Sequence, residues 1–433
     1  YRPMKRDSRT YQDYLEILRE ELVPAAGCTE PVAIAYAAAL GREALGELPE
    51  RTTVEASGNI IKNVKSVVVP NTGGLKGIEA AAAAGLVAGE AERLLEVIAH
   101  VPEEKHGAIR AYLEDCPIEV RPLESGCVLD IVLTLEKGGH TVKVRIAGSH
   151  TNVVLLERDG EVLRRGPEPG GAERRERAAL NVADILDFAG TAELSDIEGL
   201  IRTQLDCNLA LARAGMERDY GANIGKVLIR CYGDGPEVEA KAMAAAGSDA
   251  RMNGCELPAV ILSGSGNQGI TASVPVWRYG LFLGADEENI LRAVALSDLI
   301  TIHQKTGIGR LSAYCGATSA ATGAACGVAY MMLRQKGEQG RIYQILCDTI
   351  TNSIETLGGM VCDGAKASCA AKIGLAVENA LMALELSLAG NVFQPGEGMT
   401  MEDPEDTIAA VGRMGRVGMK STDVEILNII LGN

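Results

Sequence analysis

Apolar and polar positions follow one rhythm in the first 165 residues and another after residue 178. Residues 11–23 carry apolar positions at helical spacing, and the run stops near Pro24. An Ala-rich stretch from Pro31 to Leu45 predicts a second helix, with Thr29 as its cap and Pro31 in its first turn. Thr52 to Val69 alternates enough for two short strands broken at Gly58-Asn59. Helices are expected at Ile78–Leu86 and Glu103–Leu113. Strand runs follow at Ile118–Leu123, Cys127–Leu135, Thr141–Ile146 and Val153–Glu157, turning at Gly138-Gly139 like an antiparallel meander. Leu163 to Glu176 is rich in Pro, Gly and charge and reads as a surface loop.

From Ala178 the period is helical to the end. Segments 193–218, 222–231, 236–248, 286–305, 312–334, 341–361 and 367–388 each fit a helix. The three glycines of Ser263-Gly264-Ser265-Gly266-Asn267-Gln268-Gly269-Ile270 argue against a regular helix there. The expected fold is therefore α+β: a predominantly helical catalytic domain (178–433), a smaller domain with an antiparallel sheet (50–177), and N-terminal helices (1–49) packed on the helical domain.

Ala313 to Leu333 has no charge and is long enough to cross a bilayer. It is mostly Ala, Gly, Ser and Thr, which gain little from lipid and much from close helix packing, so it reads as a buried central helix. Composition agrees with a globular chain. Of 433 residues, 47% are hydrophobic but only 3% aromatic, so Ala, Leu, Ile, Val and Gly must build the core. The net charge is −16, from 42 Lys and Arg against 58 Asp and Glu, which argues against nucleic acid and anionic membranes as partners. The start, Tyr1-Arg2-Pro3-Met4-Lys5-Arg6, is too polar for a secretory leader. Eleven cysteines without framework spacing fit a reducing, cytoplasmic setting better than a disulfide scaffold.

No Cys-x-x-Cys pair exists, which excludes zinc ribbons and thioredoxin-type motifs. Three cysteines nevertheless lie in small-residue settings: Cys315 in Ser-Ala-Tyr-Cys-Gly-Ala, and Cys362 and Cys369 in Cys-Asp-Gly-Ala-Lys-Ala-Ser-Cys. Cys362 and Cys369 would lie about 10.5 Å apart along an unbroken helix. A break at Asp363-Gly364 would end one helix at Cys362 and start the next at Cys369. The three read as ligands of one metal centre, the alternative being small core residues, which is the reading for Cys116, Cys127, Cys207, Cys231, Cys255, Cys326 and Cys347. Cys28 precedes a helix N-terminus, where dipole and free amides favour a thiolate; the alternative is an inert buried thiol. Pro70-Asn71-Thr72-Gly73-Gly74-Leu75-Lys76-Gly77 can present amides to an anion but matches no dinucleotide or Walker pattern. His150, in Gly-Ser-His-Thr-Asn, reads equally as a substrate ligand, a base or a spectator. Lys305, Lys366 and Lys372 sit in no setting that suggests a Schiff base.

Gly27-Cys28-Thr29-Glu30-Pro31, Gly264 to Ile270 and Cys362 to Ala370 together resemble the L-cysteine desulfidase family, which is related to the α-chain of iron–sulfur L-serine dehydratases. Ser57 to Asn63 and Pro70 to Gly77 fit it too, so the likeness spans nearly the whole chain. The resemblance implies a 4Fe–4S lyase, free of pyridoxal phosphate, that splits L-cysteine to pyruvate, ammonia and hydrogen sulfide. Cys315, Cys362 and Cys369 map onto the cluster ligands, and Cys28 onto a fourth functional cysteine acting as base. Ser149-His150-Thr151 is similar to a substrate motif of the dehydratases, making His150 the second candidate base. The substrate-binding expectation covers Thr29, Glu30, Asn59, Lys62, Asn71, Thr72, Lys76, Ser265, Asn267 and Gln268. A small amino acid is the expected partner, with a homo-oligomer an open alternative. The rivals are serine as substrate, and a cluster closed by Cys28 in a sulfur or redox sensor.

Overall fold

The computed structural model describes residues 4–25, 29–169, 177–309 and 312–432. From the N-terminus come α1 (Arg9–Glu21), β1 (Val23–Ala25), α2 (Thr29–Leu45), β2 (Arg51–Ala56), α3 (Gly58–Val64), α4 (Ile78–Ala88) and α5 (Lys105–Asp115). Strands β3 (Ile118–Pro122), β4 (Asp130–Lys137), β5 (His140–Ala147), β6 (Val153–Arg158) and β7 (Glu161–Arg165) follow. The remainder is α6 (Val182–Thr191), α7 (Leu194–Glu217), α8 (Ile224–Tyr232), α9 (Pro236–Met252), the short β8 (Ala259–Ile261), α10 (Gly266–Leu283), α11 (Glu287–Ile308) and α12 (Gly316–Gln335). The chain closes with α13 (Ile342–Leu357), α14 (Cys369–Leu388), α15 (Pro404–Arg413) and α16 (Lys420–Leu431). This is the expected helical part with a smaller α+β part.

Two hydrophobic cores result. The larger is built by α1, α6, α7 and α9–α15 around α12. The smaller joins α2, α3 and α4 to one face of a six-stranded sheet of order β3-β2-β4-β5-β6-β7. The sheet is mixed, because β2 and β3 run parallel while the other pairs are antiparallel. The two N-terminal helices part company: α1 packs in the larger core and α2 in the smaller. This corrects the expectation that residues 1–49 form one unit on the helical part. An Ala-rich helix buried on nearly all sides packs against α4, whose Gly85 lets the backbones meet; a Cβ there would lie 2.1 Å from the Ala35 oxygen.

α12 is the buried central helix, and no described helix is long and apolar enough to cross a membrane. Its small residues allow close approach to α11. A Cβ on Gly323 would sit 2.4 Å from the Ser297 oxygen. Two of its hydroxyls bond inside the core, Thr318 to the Leu357 oxygen at 3.4 Å and Thr322 with Ser353 at 2.7 Å, which offsets the cost of burying them.

Three local expectations give way. Residues 58–64 form α3 rather than a second strand, because Ile60, Ile61 and Val64 share one buried side at helical spacing. Helix α10 begins inside the glycine-rich stretch, at Gly266, with Ser265 as N-cap. Gly269 is there for space: a Cβ would lie 1.9 Å from the Val260 oxygen, where α10 crosses β8. The first part of the expected surface loop is the edge strand β7, turned by Asp159-Gly160, both at positive φ. Gly138-Gly139 turn β4 into β5 as expected. Cys231 is exposed on α8, not in the core.

Helix α7 holds a matched test of this packing. A Cβ on Gly215 would stand 1.9 Å from the Ala246 oxygen of α9, whereas Gly199 has open space. Gly215→Ala is expected to lower unfolding stability by about 1–3 kcal/mol through overpacking. Gly199→Ala should raise it by about 0.5–1 kcal/mol. Urea denaturation of both variants checks this.

Candidate functional site

The site forms where the loop before α12, the loop between α13 and α14, and the end of α3 meet. Tyr314 and Val361 pair across an isolated antiparallel bridge. The Cys315 amide donates to the Met360 oxygen at 2.8 Å, and the Cys362 amide to the Ala313 oxygen at 2.6 Å. This extended pairing keeps Cys315 outside α12 as its N-cap residue, whereas the sequence pattern starts that helix at residue 312. Helix α13 stops at Leu357, and α14 starts at Cys369. The chain therefore does break between the last two cysteines, through Asp363-Gly364.

Gly364 lies at φ 106°, and a Cβ there would be 2.0 Å from the Lys62 oxygen. The Ala365 amide donates to that same oxygen at 3.2 Å. The loop is thereby docked onto the end of α3. Lys62 itself is buried and pairs with Asp423 of α16 at 2.5 Å.

The thiols of Cys315 and Cys362 hydrogen-bond to each other. That bond lowers the Cys362 thiol against the opposing effect of burial, and Lys62, the Gly364 amide and Lys305 add to the lowering. The same bond, together with burial, pushes Cys315 well up. Cys369 lies within electrostatic reach of both, is pushed up by burial, and donates its thiol to the Gly364 oxygen at 3.4 Å. Among the described residues no three metal-ligating side chains already surround one point. At the rim, burial raises Asp363 but hydrogen bonds from Lys366 and Lys372 outweigh it and hold the carboxyl at about 2.

The remaining candidates divide. Gln268 is buried against Gly316, the residue after Cys315, and its Oε1 has no partner among the described residues. The Ser265 hydroxyl is engaged as the α10 cap. Asn267 accepts from Arg251 at 3.4 Å and donates to the Met252 sulfur at 3.7 Å. Met252 in turn packs on Cys369. Asn71 donates to the Ile98 and Ala99 oxygens and ties the loop to that segment, while Thr72 donates to the Val69 oxygen within the loop's own start. Lys76 is exposed, and Asn59 lies in the first turn of α3. Thr29 and Glu30 open α2 and touch each other. Cys28 lies outside the described residues; the strand before it, β1, is paired with β8. His150 follows β5 at the sheet end that also launches α3, and its Nε2 is buried without a partner among the described residues.

Two cations of this site were not expected as binding groups, Lys305 having been weighed only as a Schiff-base lysine. Lys305, in the last turn of α11, is pushed down by burial, which Cys362 and Cys315 oppose only in part. Arg251 is buried at the start of α10, and its Nε has no partner among the described residues. Neither sits in a motif. An unpaired lysine inside a long apolar helical period was the one local signal for Lys305.

Residues 92–428 match the family model of the serine dehydratase alpha chain. The chain belongs to that family. The match contains all three clustered cysteines and His150, while Cys28 and Lys62 precede it. Among its relatives is a UPF0597 protein of Desulfitobacterium hafniense, 49% identical over 99% of this chain and 98% of that protein. UPF0597 proteins of Lachnoclostridium phytofermentans and Treponema denticola are 45% and 43% identical, over 97% and 99% of this chain and all of theirs.

The docking of the cysteine loop on α3 is directly testable. Gly364→Ala introduces both a disfavoured φ and a backbone clash. It should cost about 1–3 kcal/mol in urea denaturation, and it should raise the alkylation rate of Cys369 by loosening the loop.

Proposed function

We propose that this serine dehydratase-like protein is a lyase that carries an iron–sulfur cluster and eliminates hydrogen sulfide from L-cysteine. The observation that carries the proposal is the convergence of Cys315, Cys362 and Cys369, from two separate loops, beside Lys62 and Lys305. The donor set suits the group: three soft thiols match iron–sulfur ligation, and the lysines favour thiolates. The unpartnered Gln268 Oε1 next to Gly316 leaves a polar atom facing the same place. Cys315, Cys362 and Cys369 would hold a 4Fe–4S cluster. When bound with one iron open, such a centre supplies Lewis acidity to the substrate's β-heteroatom.

The chain's own residues do the rest. Cys28, as thiolate, takes the α-proton, and His150 is the second candidate. Loss of the α-proton and of sulfide forms the Cα–Cβ double bond of 2-aminoacrylate. Water then converts that product to pyruvate and ammonia. Gln268 orients the substrate beside Cys315, and Lys62 keeps the Cys362 side of the site cationic. A serine reading draws on the family description itself, with water lost in place of hydrogen sulfide.

Anaerobically reconstituted protein should contain iron and sulfide and release pyruvate and sulfide from L-cysteine faster than pyruvate from L-serine. Cys315→Ala, Cys362→Ala and Cys369→Ala should each lose the iron. Normal iron in all three variants would reject the ligand set, and faster serine turnover would select the dehydratase reading.

Cys28→Ala separates base from ligand. It should keep iron, sulfide and cysteine binding, yet exchange the substrate α-proton with solvent about 10²–10⁴-fold more slowly. An altered resting spectrum in this variant would instead make Cys28 a cluster ligand.

A further inference from the structure

We infer that the Lys305 ammonium is the anchor for the α-carboxylate of the amino-acid substrate. The inference rests on the lyase reading above and names a binding group for it. Lys305 occupies the last turn of α11 between two features. On one side are the thiols of Cys315 and Cys362, which interact with its charge. On the other is a cavity of about 270 Å³, walled by Glu21, Arg177, Ser263, Ile302 and Lys305 itself. Pockets for drug-sized ligands start at about 300 Å³, so this space suits a small metabolite rather than a nucleotide or large cofactor.

Lys305 has no carboxylate partner among the described residues. Burial makes the ammonium costly despite the nearby thiols, and a bound carboxylate offsets that cost. Of the other cations of the site, Arg251 keeps its Nε without a partner among the described residues but does not line the cavity, and the lysines have carboxylate partners. Lys62 pairs with Asp423, and Lys366 and Lys372 pair with Asp363. The polar side chains of the glycine-rich loop are largely engaged as well, since Ser265 caps α10 and Asn267 bonds Arg251 and Met252. Among the described residues Lys305 is thus the cation that both reaches the thiols and lines the cavity. Across that cavity Glu21 bonds to Arg177 at 2.8 Å. A wall holding a carboxylate disfavours a dianion and accepts a zwitterion, whose ammonium can share Glu21. The cavity walls then set the order of two groups: carboxylate on Lys305 and ammonium toward Glu21.

The test compares L-cysteine with cysteamine, which lacks only the carboxylate. Wild-type protein, Lys305→Met and Lys305→Arg are reconstituted anaerobically, and dissociation constants are read by calorimetry alongside kcat and KM for cysteine. Wild type should prefer cysteine over cysteamine by about 10- to 100-fold, the range for a charge-assisted hydrogen bond. Lys305→Met should lose that preference through weaker cysteine binding, with cysteamine binding unchanged and with KM raised more than kcat is lowered. Lys305→Arg should keep part of it. The proposal is overturned if Lys305→Met still prefers cysteine. It is also overturned if that variant loses iron and sulfide, for Lys305 would then be a counter-charge to the thiolates. Should wild type fail to turn over cysteine, the desulfidase reading falls separately, and the same carboxylate preference is read with L-serine against ethanolamine.

Discussion

Gly364 resting on the Lys62 carbonyl is the contact on which the site depends. The two backbones approach so closely that no side chain fits between them, and the Ala365 amide completes the join. On one side of this seam lies the helical core, on the other the sheet-bearing core. The contact sets the Cys362–Cys369 loop against α3. It brings the Lys62 charge to a buried thiol, and it lets α14 begin at the third cysteine. Asp423 reaches back from α16 to hold Lys62, while Leu427 and Ile430 of the same helix pack on the smaller core. The C-terminal helix thus braces the seam from outside.

The character of the core follows from what it must carry. With few aromatics, the helices pack through Ala and Gly at backbone distance, as α12 does on α11 and α10 does on β8. Interiors packed this tightly transmit displacement rather than absorb it. A thiol at the N-cap of α12 is therefore held by the whole bundle, and its partner on the facing loop is held by a two-residue bridge. Burial alone would keep both thiols protonated. The hydrogen bond with Cys315, two lysines and a backbone amide overcome that for Cys362.

Parts of this were legible in the residues. Cys315 and the Cys362–Cys369 pair stand out because small neighbours flank them and because Asp363-Gly364 interrupts a helix. The turn at Gly138-Gly139 and the central helix through Ala320 could be read for equally local reasons. The errors were also local. In α3 the pair Ile60-Ile61 satisfies a strand as readily as a helix. In α10 glycines that serve close packing look like helix breakers. In β7 an Asp-Gly turn is masked by the polar run that follows it.

Composition and period determine, without further help, that the chain is a helical protein with a smaller sheet-bearing part and a core of small residues, because burial follows spacing along the chain. Local chemistry determines which cysteines are candidates. The tertiary structure alone decides that α2 leaves α1 for the other core, that Asp423 pairs with Lys62 across 361 positions, and that Lys305 stands between the thiols and a cavity. Those outcomes depend on which surfaces meet when distant segments pack. Electrostatic partnership falls off within a few ångströms, so it belongs to neighbours in space, and a sequence lists only neighbours along the chain.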